Sequence, residues 1–205
     1  MTVTEIVELS KSRSKVYIDE EFAFVLYKGE LRLYHVQVGR ELSAENYRII
    51  MEEVLPKRAK LRAMNLLQSR EYTTEQLRQK LRQGYYPEDI IERALSYVAS
   101  FHYIDDLRYA VSYITCHEVS RSRKRIEQDL MTKGISKAIM EQAWQEWEAQ
   151  GGEQDEAGMI QSLLEKKHYD PNCTDRKEQQ RLFAFLARKG YGSEQIRKAL
   201  KADWD

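Results

Sequence analysis

The chain has 205 residues, with 33 Lys/Arg against 33 Asp/Glu for a net charge of +0, and 42% of its residues are hydrophobic. No apolar run approaches the roughly 18 residues that span a bilayer, and with 3 Pro and 9 Gly there is no low-complexity linker. A mean hydropathy of −0.69 is polar for a compact globule and suits a thin helical array with much surface.

The N-terminus, Met1 to Ile6, has no basic stretch followed by an apolar one, so no signal peptide is expected. Lys15–Ile18 and Phe22–Tyr27 are rich in β-branched and aromatic residues, with turns at Asp19-Glu20 and Lys28-Gly29. With Thr2–Leu9 they predict a two- or three-stranded antiparallel sheet. A hairpin alone is marginal in water, so a helix should cover it. That helix is expected from Ser43-Ala44 through Ile49, Ile50 and Val54. Pro56 is expected to break the chain, with the next helix starting near Lys57.

From there one pattern occurs three times. Leu77, Leu81, Ile91, Ala94 and Leu95 have the offsets of Ile126, Leu130, Met140, Ala143 and Trp144, and of Leu182, Leu186, Ile196, Ala199 and Leu200. Between the second and third positions stands a glycine, Gly84, Gly134 or Gly190, one place early in the first copy. Apolar residues four apart share a helix face, and a glycine can end the helix at positive φ. Tyr85, Ile135 and Tyr191 follow the glycines, placed to make the closing apolar contact. Ser136 and Ser193 are expected as N-caps of the second helix, and Pro87 in its first turn. A further helix precedes each pair: Ala63, Leu66, Leu67; Ala110, Tyr113, Ile114; Ile160, Leu163, Leu164. Copies start 49 residues apart (77 to 126) and then 56 (126 to 182), longer than the roughly 34 to 47 of common two-helix repeats. Each unit is therefore read as a three-helix bundle. The expected organisation is 1–56, a sheet plus helix, then three-helix repeats at 57–104, 105–150 and 151–205. Asp105 or Asp106 is expected as an N-cap, and Gly151-Gly152 as a flexible joint. The fold class is mainly α: an elongated array of three tandem three-helix repeats with a small N-terminal antiparallel sheet.

No Walker A loop, GxGxxG, HExxH or nucleophile elbow occurs, and no catalytic residue, cofactor or metal is predicted. His35, His102, His117 and His168 are scattered. Cys116-His117 would point about 100° apart on a helix, and Asp105-Asp106 reads more simply as a cap than as a metal pair. Cys116 and Cys173 are read as incidental thiols of a reduced, cytoplasmic protein. Most of the 13 tyrosines sit at apolar-periodic or capping positions and are expected in the core. Trp144 is expected there too, and Trp147 either there or at a contact between repeats; Tyr86 and Tyr103 are less constrained.

The charge is unevenly spread. Residues 1–56 carry −3 (7 basic, 10 acidic), 57–150 carry +3 (16 and 13), and 151–205 are balanced at 10 and 10. Within 57–82, Lys57, Arg58, Lys60, Arg62, Arg70, Arg78, Lys80 and Arg82 face only Glu71 and Glu75. A second cluster is Arg121, Arg123, Lys124 and Arg125, with Lys133 close behind. A solvated helix face and a surface for nucleic acid or an acidic partner are both open readings. The binding candidates are Arg58, Lys60, Arg62, Arg70, Arg78, Lys80, Arg82, Arg121, Arg123, Lys124, Arg125 and Lys133.

Leu77-Arg-Gln-Lys-Leu81 with Gly84-Tyr85, Tyr103-Ile104-Asp105-Asp106-Leu107-Arg108-Tyr109-Ala110, and Leu130-Met-Thr-Lys-Gly134-Ile135 together resemble the RecX family, regulators of the RecA recombinase. The resemblance covers about 57–205, and the N-terminal sheet resembles an extension found on some members. Two local departures are the early Gly84 and the run Ser120-Arg-Ser-Arg-Lys, where many members carry a glycine. The resemblance implies a curved right-handed array lying in the groove of a RecA–DNA filament. There it would weaken contacts between protomers or block the incoming duplex. The implied partners are the RecA filament and single- and double-stranded DNA, with the chain a cytoplasmic monomer and no membrane involved. The alternative is a stand-alone DNA-binding helical-repeat protein. Against it, the helices show no Asn/Gln/Arg cluster distinct from an ordinary polar face.

Overall fold

A computed structural model describes residues 1–170 and 175–201; Cys173 and residues 202–205 at the end of the third repeat lie outside the described residues. The chain divides into two compact units, Met1–Asp105 and Asp106–Asp205.

The first unit opens with a three-stranded antiparallel sheet in the order β1 (Val3–Glu8), β2 (Arg13–Ile18), β3 (Glu21–Tyr27). Ser14, Val16 and Ile18 alternate inward along β2, as a one-sided sheet requires. Val16 pairs with Ile6 on one side and Phe24 on the other. Two short helices follow, α1 (Lys28–Leu33) and α2 (Ala44–Ile49), the latter capped by Ser43 Oγ accepting the Asn46 N–H. Val3, Val16, Phe24 and Leu26 of the sheet pack in one core with Leu55, Ala59, Leu77, Leu81, Ile90 and Ile91 of the helices beyond. Fully burying each of these large side chains stabilises by roughly 1.5–3 kcal/mol, which anchors the sheet on the first helical unit.

Pro56 does not interrupt the chain. A π turn over Ile50–Val54 joins α2 directly to α3 (Leu55–Ser69), with Pro56 in the first turn of α3. A proline removes one N–H and crowds the carbonyl four residues back. The wider turn opens that spacing, with the Leu55 N–H reaching Ile50 O, and the Glu52 carbonyl accepts instead from Arg93 Nη2 at 3.4 Å.

Helices α4 (Thr74–Arg82) and α5 (Glu88–Ser100) complete the first bundle with α3. In the second unit, α6 (Asp106–His117), α7 (Arg123–Thr132) and α8 (Lys137–Ala149) enclose a core of Ile114, Ile126, Leu130, Trp144 and Trp147. Then α9 (Glu156–Lys166), α10 (Arg176–Arg188) and α11 (Ser193–Leu200) enclose Ile160, Leu164, Leu186, Ile196 and Leu200. The structure is mainly helical with a small N-terminal sheet.

The caps refine the repeat. The left-handed position is eight residues after the first core residue in all three copies: Tyr85 (φ 63), Gly134 (φ 88) and Gly190 (φ 95). The next residue donates its N–H back to the last core leucine: Tyr86 to Leu81, Ile135 to Leu130, Tyr191 to Leu186. Thus Tyr86, not Tyr85, is the counterpart of Ile135 and Tyr191. Gly84 serves a different need, since a Cβ there would stand 2.9 Å from the Tyr86 ring. Pro87 is an N-cap rather than a first-turn residue, and Ser193 is the first helical residue after an N-cap at Gly192. Ser136 caps α8 as its position suggests, and Asp105 immediately precedes α6. Three of the four histidines, His35, His102 and His168, are left-handed helix stops at φ 55.

Gly151-Gly152 forms a closed helix stop instead of a flexible joint. Gly151 is left-handed at φ 89, the Gly152 N–H bonds Trp147 O at 3.0 Å, and a Cβ at Gly152 would lie 2.2 Å from the Trp147 ring. No described helix is long and apolar enough to cross a membrane.

Candidate nucleic-acid interface

In the first unit seven of the eight cations of 57–82, all but Lys57, fall into three groups. Arg58 is a strut: it donates to Val25 O at 3.0 Å and to both Glu30 carboxylate oxygens at 2.5 Å, and lies 4.7 Å from the Tyr27 ring centre. Arg78 is likewise committed, donating to Glu92 at 2.7 Å and to Glu75 at 3.1 Å. The bond to Glu92 is the main cause that holds its pKa above the ordinary guanidinium value, with burial opposing. Arg82 pairs with Glu88 at 2.7 Å and approaches Glu75, and that bond draws the Glu88 carboxyl below its ordinary pKa. The sequence window 57–82 reads as one-signed, eight cations to two anions; in the fold Glu30 of α1 and Glu88 and Glu92 of α5 offset part of that charge by pairing with Arg58, Arg82 and Arg78.

The second group is shared with aromatic rings. Lys60 Nζ lies 4.5 Å from the Tyr97 ring centre, and the Arg70 guanidinium 4.3 Å from that of Tyr72. The third is uncommitted to carboxylates. Arg62 is exposed, and Lys80, among the described residues, reaches Gln83 at 3.4 Å and no carboxylate. Both line a cleft of about 440 Å³ with Arg13 of β2. Arg13 lies outside both basic windows, in the segment whose net charge is negative, and only the sheet register opposite Tyr27 brings it here.

In the second unit the basic run surrounds the start of α7. Ser122 caps it, accepting the Arg125 N–H. Arg121 donates to Asp129 at 2.6 Å and to the Tyr113 hydroxyl at 2.7 Å. Arg123 pairs with Glu127 and Glu148 and lies 4.4 Å from the Trp144 ring centre. Arg125 pairs with Asp129 at 3.2 Å, and Lys133 lies 5.2 Å from the Tyr113 ring centre. Lys124 is exposed and, among the described residues, makes no ion pair. Exposed pairs such as those of Arg82 and Arg123 contribute little in water, so these cations can exchange a carboxylate for a phosphate at little cost. Arg58 and Arg78, more enclosed and multiply bonded, cannot.

Among the described residues there is no group of three or more His, Cys, Asp or Glu placed to hold a metal. Cys116 is an exposed free thiol. A cleft of about 640 Å³ in the second unit is lined by Glu118, Ser120, Asp155, Ser162, Lys166 and Lys189 among others. Its Asp155 is taken up in capping α9, accepting the Gly158 N–H at 2.8 Å, and the Lys189 carbonyl is bonded by Ser122.

Two family models match the chain: the first three-helix domain of RecX over residues 59–97 and the third over 154–200. The "Regulatory protein RecX" of Caldanaerobacter subterraneus subsp. tengcongensis is 30% identical over 202 residues, covering 98% of each chain. The chain belongs to the RecX family. The namesake from Clostridium acetobutylicum is 27% identical over 98% of this chain and 94% of its own. A crystal structure of a regulatory protein RecX superposes with a TM-score of 0.62 at 24% identity over 98% of this chain and 99% of its own. A second, of RecX from Lactobacillus salivarius, reaches 0.60 at 23% identity over 72% and 96%. At that identity they speak for the RecX fold alone. The curated RecX relatives span nearly the whole chain, sheet included, and carry a regulatory role in their name.

Proposed function

We propose that this protein binds the RecA–DNA filament and lowers its recombinase activity in DNA repair and recombination. The observation that carries this reading is the near-full-length similarity to regulatory RecX proteins. The cations support it: among the described residues Lys124 and Arg62 meet no carboxylate, and Arg82 and Arg123 are held by exposed pairs. In this reading the protein works in the cytoplasm as a monomer and performs no chemistry. Its helical repeats lie against the filament, and its cations meet single- and double-stranded DNA and acidic filament surface. The repeat residues themselves are core and caps, so binding falls to the polar faces they leave outward.

ATP turnover by RecA on single-stranded DNA, with this protein added to stoichiometric ratio, tests the reading. A progressive fall in turnover is expected; an unchanged rate would overturn it.

A further inference from the structure

We propose that the cleft of Arg13, Arg62 and Lys80 is a phosphodiester-binding site for a single strand of nucleic acid. This deepens the DNA contact above and rests on that reading only in taking nucleic acid as the partner.

Three separate elements bring the cations together: Arg13 ends on β2, Arg62 on α3 and Lys80 on α4, with Tyr27, Gln83, Gly84 and Tyr86 completing the wall. Elsewhere in this unit arginines meet carboxylates, as Arg58, Arg78 and Arg82 do. Here, among the described residues, neither Arg13 nor Arg62 has an acidic partner. Glu30 is engaged by Arg58. Arg58, Arg62 and Arg13 all bear on the Tyr86 hydroxyl, opposing the burial that raises its pKa. The cleft therefore holds an excess of positive charge that an anion would neutralise.

The geometry favours phosphate joined to a base. Two guanidinium forks match phosphate oxygens in a bidentate manner that a lysine cannot, and a volume of about 440 Å³ exceeds what a lone phosphate needs. Tyr27, a residue 42% exposed, carries the Arg58 guanidinium against its ring and offers the remaining face or edge to a neighbouring base. Stacking of that kind needs a base free of its duplex partner.

The test is anisotropy of a labelled oligo-dT of about 20 nucleotides with the full chain, from low to moderate salt. For a single strand the slope of log K against log salt falls by about 0.7 for each phosphate contact removed. Arg13→Ala with Arg62→Ala should lower it by about 1.4, while Arg40→Ala, a change at an exposed residue away from the cleft, should leave it in place. Arg13→Lys with Arg62→Lys should keep the slope and lose affinity, which separates charge from folding. Tyr27→Ala should weaken binding roughly ten-fold or more. A duplex of equal length should compete poorly, and polyglutamate not at all. An unchanged slope in the folded double alanine variant, equal competition by polyglutamate, or no binding by the parent protein would each overturn the proposal. RecA ATP turnover with the same variants keeps the two readings apart. A lowered slope with no inhibition by the parent protein would sink the filament reading alone; inhibition without strand binding would sink the cleft alone.

Discussion

Ser122 and Lys189 stand 67 residues apart in sequence and share a hydrogen bond of 2.8 Å, the Ser122 hydroxyl donating to the Lys189 carbonyl. The same oxygen accepts the Arg125 N–H at 3.3 Å. One fully buried side chain thus satisfies an orphan donor at the start of α7 and an orphan acceptor at the end of α10. The second and third repeats are joined through their helix ends. Gln154 adds to the joint, its side-chain amide donating to the carbonyls of Glu118 and Arg121.

Ser122→Ala should therefore cost about 1–3 kcal/mol, more than an exposed cap, because it also leaves a carbonyl without its donor. Gly190→Ala should cost at least as much. Its φ of 95 disfavours any Cβ, and that atom would stand 2.5 Å from Ser122 Oγ. Urea unfolding followed by Trp144 and Trp147 fluorescence measures both; a loss below about 0.5 kcal/mol for either would contradict the joint.

Tyr85 offers a reversal of a common rank. A left-handed non-glycine residue costs about 1–2 kcal/mol, and Tyr85 offsets this with an edge contact to Phe22 at 6.3 Å and with Lys15 4.3 Å from its ring centre. Tyr85→Ala loses the contacts and keeps the strain; Tyr85→Gly loses both. The alanine variant should be less stable than the glycine variant by about 1 kcal/mol. Equal melting behaviour would refute the cap geometry.

The two tryptophans of the second unit should answer differently to the same change. Trp147 Nε1 donates to Glu118 at 2.8 Å, whereas Trp144 Nε1 is buried and, among the described residues, has no hydrogen-bond partner. Replacing Trp147 by Phe removes a bond to a charged acceptor, worth about 1.5–3 kcal/mol; replacing Trp144 by Phe removes an unsatisfied donor. The Trp147→Phe variant should be the less stable, and chemical denaturation compares them directly.

His117 predicts a pH effect. Burial first, then the charges of Arg121 and Lys133, hold its pKa below the usual imidazole value, with Asp129 opposing. Below pH about 6.5 the unfolded chain then binds the proton that the folded chain resists. Stability contributed by neutral His117 is present above that pH and is lost as pH falls through the lower folded value. Denaturation of the parent protein and of His117→Gln at pH about 7.5 and 5.5 checks this; the substitution should reduce the loss seen in acid.

The repeat was legible in the sequence because core periodicity is local: Leu77 and Leu81, or Ile126 and Leu130, announce their face by spacing alone. The three strands were legible for the same reason. The position of the left-handed residue was harder to read, because Tyr85 fills a place where glycine stands in the other copies. Pro56 misled because a π turn, which has no simple sequence signature, let the helix run on. The basic faces were the least legible. Window counting sees charge along the chain, whereas Arg78–Glu92 and Arg58–Glu30 pair across elements. Arg13 escaped notice because strand register carries it to Arg62 and Lys80.

RecA-promoted strand exchange, with this protein titrated to one molecule per RecA protomer, measures the inhibition of the filament most directly. A stepwise loss of joint-molecule product is expected. Full product at that ratio would contradict it.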